Sequence, residues 1–142
     1  MKQRSIALLA LLLALTLSCG SYTAPDSGGM NAPPPTPSTN DITIVVGASG
    51  LTTTAFSPNP KVVSLGGNPS VMVRWVNKDI SGGDYTSGNA TSHNITSDNG
   101  AFPASGILGG NGTYSVNLTA TGDYPYHCAI HPNMVGTVTV NP

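Results

Sequence analysis

Seven residues near the C-terminus constrain this chain more than any others. Cys128-Ala129-Ile130-His131-Pro132-Asn133-Met134 sets a thiol, an imidazole and a thioether at Cys-x2-His-x2-Met spacing. The flanking segments, Tyr124 to Cys128 and Gly136 to Val140, read as strands, so the three donors sit on a short loop between two strands. A fourth candidate donor, His93, lies 35 residues before Cys128 on its own predicted strand, His93 to Thr96. A fold that uses all four must bring two distant pieces of chain to one end of a sheet.

The donor types narrow the chemistry. Thiolate and thioether are soft ligands and imidazole is intermediate, a set that suits copper held both as Cu(I) and as Cu(II). Two His and one Cys with a weak, long axial Met is the blue-copper arrangement. Structural zinc takes four strong ligands and no thioether. A dinuclear copper centre would want a second Cys in the loop, and Ala129, Ile130 and Pro132 offer none. The residues alone leave plainer readings open. Cys128 can be a small core hydrophobe, His93 an ordinary strand histidine, and Met134 core packing. His127 precedes Cys128, and strand neighbours face opposite ways, so His127 is expected to point away from a metal.

The rest of the chain reads as all-β. Only 8% of the residues are charged and there is no Glu, a poor basis for solvated helices. Val and Thr supply strands, and Gly, Asn and Pro supply turns. Further strands are expected at Ile42 to Val46, Lys61 to Leu65, Val71 to Val76 and Thr113 to Leu118. Phe56-Ser57-Pro58-Asn59-Pro60 reads as a break and residues 79–92 as a polar loop. No segment after residue 20 has a helical period. Short strands at this spacing predict an antiparallel β-sandwich of about 100 residues.

The N-terminus reads as an export signal. Lys2 and Arg4 precede an apolar run, Ile6 to Leu17, too short and wrongly flanked for a membrane-spanning helix. It ends in Leu15-Thr16-Leu17-Ser18-Cys19-Gly20, which resembles a bacterial lipoprotein cleavage site with Cys19 as the lipidated residue. An ordinary signal peptide with an incidental Cys is the alternative. Residues 19–40, with Gly28-Gly29 and Ala32-Pro33-Pro34-Pro35-Thr36-Pro37-Ser38, read as a Pro- and Gly-rich tether. The expected division is a signal peptide over 1–18, a lipid-anchored tether over 19–40 and a folded domain over 41–142. The domain would then sit on the periplasmic or outer side of a bacterial membrane, as a monomer. With Cys19 lipidated, Cys128 is the one thiol left, and a lone thiol in an oxidising compartment needs a reason such as a metal. From residue 20 on, Lys61, Arg74 and Lys78 face six Asp, a net charge of −3 with histidines neutral. That balance argues against a nucleic-acid partner. Asn89, Asn94, Asn111 and Asn117 begin Asn-x-Ser/Thr, read in a bacterial-type chain as turn and strand residues rather than glycan sites.

Taken together, the chain resembles the cupredoxin (type 1 blue-copper) family, plastocyanin- and amicyanin-like, over roughly residues 41–140. Phe56-Ser57-Pro58, Val73-Arg74-Trp75-Val76-Asn77, His93-Asn94-Ile95, Gly122-Asp123-Tyr124 and the C-terminal loop carry the resemblance. The tight loop, with Pro after its His, is most similar to amicyanin. The resemblance implies a Greek-key β-sandwich of the cupredoxin type holding one copper ion. It implies His93 as the buried imidazole ligand, Cys128 as the thiolate, His131 as the second imidazole near an apolar surface, and Met134 as the axial thioether. It further implies that the backbone N–H of Asn94 bonds the Cys128 sulfur. The implied function is one-electron transfer between redox protein partners through Cu(II)/Cu(I), by a carrier that is not an enzyme. Copper handling without redox duty and a metal-free β-sandwich binding module are the alternatives. Loop 79–92 looks longer than the connection usual before the first His.

Overall fold

The computed structural model describes residues 36–80 and 90–142. The expected signal segment, Cys19, most of the tether and residues 81–89 of the polar loop lie outside the described residues.

Alternating side chains build the sheets. In β4 (Val71–Asn77), Val73 and Trp75 are fully buried while Met72 is exposed and Arg74 half-buried. That is the two-residue period of a strand with one covered face. Strand β1 (Asp41–Ile44) buries Ile42 and Ile44, and β6 (Thr113–Leu118) buries Val116 and Leu118. Strand β3 (Lys61–Ser64) buries Val63, and β8 (Val135–Asn141) buries Val138 and Val140. Short β2 (Phe56–Ser57), β5 (Thr96–Ser97) and β7 (Gly122–His127) complete the set. The strands form two four-stranded sheets, β2-β1-β4-β6 and β3-β8-β7-β5, around one apolar core. Aromatic rings bridge the sheets. Tyr126 of the second sheet meets Trp75 and Phe56 of the first edge-to-face, with ring centroids 5.1 and 4.9 Å apart, the arrangement that ring quadrupoles favour.

The all-β sandwich is as the sequence led us to expect, with three local differences. Pairing is mixed rather than wholly antiparallel: β1 runs parallel to β4 and β3 parallel to β8. The chain leaves the first sheet after β2, passes through β3 of the second and returns as β4, so it re-enters beside β1 in the same direction. Phe56-Ser57 is a strand, not part of a break. The Phe56 ring is buried in the core, and its backbone pairs with Ile44 before Pro58 ends the strand. The expected strand from His93 shrinks to Thr96–Ser97. His93 instead makes one two-bond bridge, its N–H donating to Leu108 O at 3.1 Å and its carbonyl accepting from Leu108 N–H at 2.8 Å. The next backbone group, Asn94 N–H, turns to the Cys128 sulfur rather than to a neighbouring strand.

The two ends of the sandwich differ in character. Where β1 begins, residues 36–40 are fastened down. Arg74 holds Asp41 through two bonds, Nε to Oδ1 at 2.8 Å and Nη2 to Oδ2 at 2.7 Å, and donates from Nη2 to Thr36 O at 2.5 Å. Lys61 Nζ donates to Thr39 O at 2.5 Å. At the other end, where β1 and β4 finish, the chemistry-bearing residues collect.

Candidate metal centre

Spacing explains the loop. His131 N–H donates to Cys128 O at 3.1 Å and Met134 N–H donates to His131 O at 2.9 Å. Cys128 N–H donates back to Met134 O at 3.1 Å and closes the loop. Each x2 interval is therefore one three-residue hydrogen-bonded step, and the donors fall at consecutive corners. Pro132 stands second in the His131–Met134 turn, where its fixed φ is already right.

His93 reaches the same place from another strand system. Two bonds sew its segment to the loop: Asn94 N–H to Cys128 Sγ at 3.5 Å and Ala129 N–H to Asn94 Oδ1 at 2.7 Å. As a result Cys128 Sγ lies 3.8 Å from His93 Nδ1 and 3.8 Å from His131 Nδ1, and the two Nδ1 atoms are 3.2 Å apart. Among the described residues this is the one group of three His, Cys, Asp or Glu whose donor atoms gather so closely. The point equidistant from the three atoms is about 2.1 Å from each, within the range of nitrogen and sulfur bonds to a first-row metal. Two imidazole nitrogens and a cysteine sulfur converging at these distances fit a metal ion, and their softness fits copper.

Burial and charge shape the set. His93 and Cys128 are fully buried, and His131 is half-buried between exposed Ile130 and Pro132. Burial pushes the Cys128 thiol up, but the His93 ring, the Asn94 and His131 N–H groups and the His131 ring together outweigh it and bring the thiol down to about 6. Burial pulls the His93 imidazole down, and contacts with Cys128 and Asp79 reverse this, so it ends raised. The thiolate form that binds metal is thus favoured before any ion arrives.

The other candidates sort cleanly. Met134 is fully buried in the core beside Cys128, and its backbone closes the loop. His127 stands apart from the group. Its Nδ1 lies 2.5 Å from Asp98 Oδ1, and the pair is partly exposed. Two residues escaped sequence reasoning. Buried Asp79 lies 2.9 Å from His93 Nε2, and buried Asn77 bonds Thr91 and Leu108 beside it. A charge directly after a buried strand, in a chain with so few charges, was the available signal.

Comparison with known proteins follows the same lines. The sequence profile of copper-binding proteins of the plastocyanin/azurin family matches residues 43–141. A search of curated protein sequences gives no match. Among solved structures, a novel purple cupredoxin from Nitrosopumilus maritimus is similar, with 27% identity and a TM-score of 0.56 over 71% of this chain and 98% of that one. Two oxidized amicyanin mutants, each 20% identical with a TM-score of 0.50, share the fold. They are covered over 80% and 86% of their length, by 71% and 75% of this chain.

Proposed function

This chain belongs to the plastocyanin/azurin family of copper-binding proteins, and from that premise we propose that it carries single electrons on one mononuclear copper ion. The residues that would hold that ion are His93 Nδ1, Cys128 Sγ and His131 Nδ1, with the buried Met134 thioether as a fourth, weaker donor. One observation carries the reading: three donor atoms from two distant segments stand 3.2–3.8 Å apart in the folded chain. When bound, copper supplies the Cu(II)/Cu(I) couple. The protein's own residues do the remainder. The two hydrogen-bonded steps of the loop and the stitches through Asn94 hold the donors in place, so little rearrangement accompanies a change of charge. The core excludes water from His93 and Cys128. Half-buried His131, between Ile130 and Pro132, is the part of the set a redox partner can approach.

The N-terminal reading belongs to the same proposal. A lipidated Cys19 and a Pro-rich tether would hold the monomeric domain at the outer face of a bacterial membrane. The chain enters the domain at the start of β1, the end away from His93 and Cys128, which supports a metal centre directed outward toward redox protein partners.

The test is spectroscopic. Purified protein given Cu(II) should take up one equivalent and develop an intense thiolate-derived visible band that bleaches on reduction and returns on oxidation. Cys128→Ser should abolish the band. Colourless binding of Cu(I) alone would instead indicate copper handling, and no stoichiometric binding would sink both copper readings.

A further inference from the structure

Asp79 is the buried acid of the described residues, 2% exposed, and it stands directly behind His93. Its Oδ2 is 2.9 Å from His93 Nε2, the ring nitrogen facing away from the donor triangle. Its Oδ1 accepts the Gly47 N–H at 2.6 Å. Gly47 holds a left-handed backbone with φ of 72°, a conformation that costs glycine nothing, and that turn presents its N–H. The Asp79 backbone is gripped as well. Its N–H donates to Asn77 Oδ1 at 2.9 Å, and its carbonyl accepts from Thr91 N–H at 2.9 Å. Asn77, itself fully buried, donates from Nδ2 to Thr91 O at 2.8 Å and Leu108 O at 2.9 Å. Four pieces of chain thus converge to hold one carboxylate against one imidazole.

A carboxylate only accepts, so the imidazole nitrogen facing it must carry the proton. The opposite nitrogen is then a bare lone pair, the form a metal needs, and the ring's rotation is fixed by the same bond. Burying an acid is costly, which makes this arrangement a poor accident. A negative charge one imidazole away from a bound ion also favours the ion's higher charge. We infer that Asp79 is a positioning residue that holds His93 in its Nε2–H tautomer with Nδ1 open to the metal, and that its charge biases the site toward Cu(II). The second half rests on the copper reading above; the first does not.

Two readouts test it in the full chain, with Asp79→Asn as the main variant and Asp79→Glu as the conservative rescue. In the metal-free protein, at a pH where the imidazoles are neutral, nitrogen NMR of His93 should show the Nε2–H tautomer. Asp79→Asn should mix the tautomers and Asp79→Glu should restore the wild-type ratio. In the copper-loaded protein, Asp79→Asn should keep the visible band while shifting the preference toward Cu(I) about tenfold, a rise in potential of about 59 mV for one electron. A wild-type ring protonated on Nδ1 overturns the inference without any variant. So does an Asp79→Asn protein with an unchanged tautomer ratio or an unchanged potential. A wild-type chain that takes up no copper sinks the copper reading itself, and the ring measurement, which needs no metal, still decides the tautomer.

Discussion

At the scale of single residues, the Cys128 thiol is displaced well below its ordinary value by its neighbours. Burial alone would raise it, but the surrounding donors bring it to about 6. Because its folded value lies below its unfolded one, the thiolate stabilises the metal-free fold fully above the unfolded value. That contribution is lost as pH falls through about 6. His93 is shifted the opposite way, so its contribution is full below its unfolded value and lost as pH rises through the raised one. The two titrate as a pair. Ultraviolet thiolate absorbance of metal-free protein should therefore show a midpoint near 6 rather than the ordinary thiol value of about 8.5. A midpoint at the ordinary value would mean that the neighbours do not hold the thiolate. Met134 calls for a different measurement, since full burial suits both a core residue and an axial donor. Met134→Leu keeps the volume, so stability should change by less than about 1.5 kcal/mol. The visible band should persist and the potential should rise, because a weak axial donor favours Cu(II). An unchanged potential would count against axial ligation.

At the scale of elements, the pairing of β7 with β8 carries the loop. Tyr126 and Gly136 are direct partners on these strands, and the Tyr126 ring lies on the glycine. A Cβ at position 136 would stand 2.4 Å from the ring's Cζ, so the ring must move. Gly136→Ala should cost about 1–3 kcal/mol in denaturant unfolding. Ser115→Ala, an exposed position on β6, should stay within about 0.5 kcal/mol. An equal effect at both positions would contradict the packing argument. The displaced ring lies two residues before Cys128, so the alanine variant tests how stiffly the strand presents the thiol. Much at this scale was legible beforehand. Val71, Val73 and Trp75 alternate with Met72 and Arg74 in the sequence, and Val73 and Trp75 do line the core. That the strand expected from His93 would shrink to Thr96–Ser97 was not legible, because the His93 and Asn94 backbone groups are diverted to Leu108 and to the Cys128 sulfur, distant groups that no local pattern announces.

Across the whole molecule, two ends of one sandwich do different work. The pole where β1 begins fixes the entering chain through the Arg74–Asp41 pair and the bonds to Thr36 and Thr39. Burial is the largest single influence on the Asp41 carboxyl and raises it, but the Arg74 guanidinium, the Ser38 N–H and the Lys61 charge together outweigh it, so it ends below its ordinary value. The stabilisation it brings is present above the unfolded Asp value and fades as pH falls through the lower folded one. Arg74→Ala should cost about 1–2 kcal/mol at neutral pH and speed proteolysis within residues 36–40. Unchanged cleavage there would mean that the segment is held by something else. The variant's copper spectrum should be that of the wild type, because the opposite pole holds the donors.

The sequence by itself determined what depends on near neighbours. Alternating apolar residues dictated strands, and the Cys-x2-His-x2-Met segment between two of them dictated a short loop that carries three donors close together. It also set the chemistry of the donors, since softness belongs to the side chain. Only the tertiary structure decided which distant groups meet. It brought His93 to within 3.8 Å of Cys128 across 35 residues, paired β1 with β4 in parallel, and drew Phe56 into a strand. It also buried Asp79 behind His93. The physical reason is the same in each case: a polar or apolar group's partner is fixed by the layer of chain that folds over it, and spacing along the chain does not encode that layer.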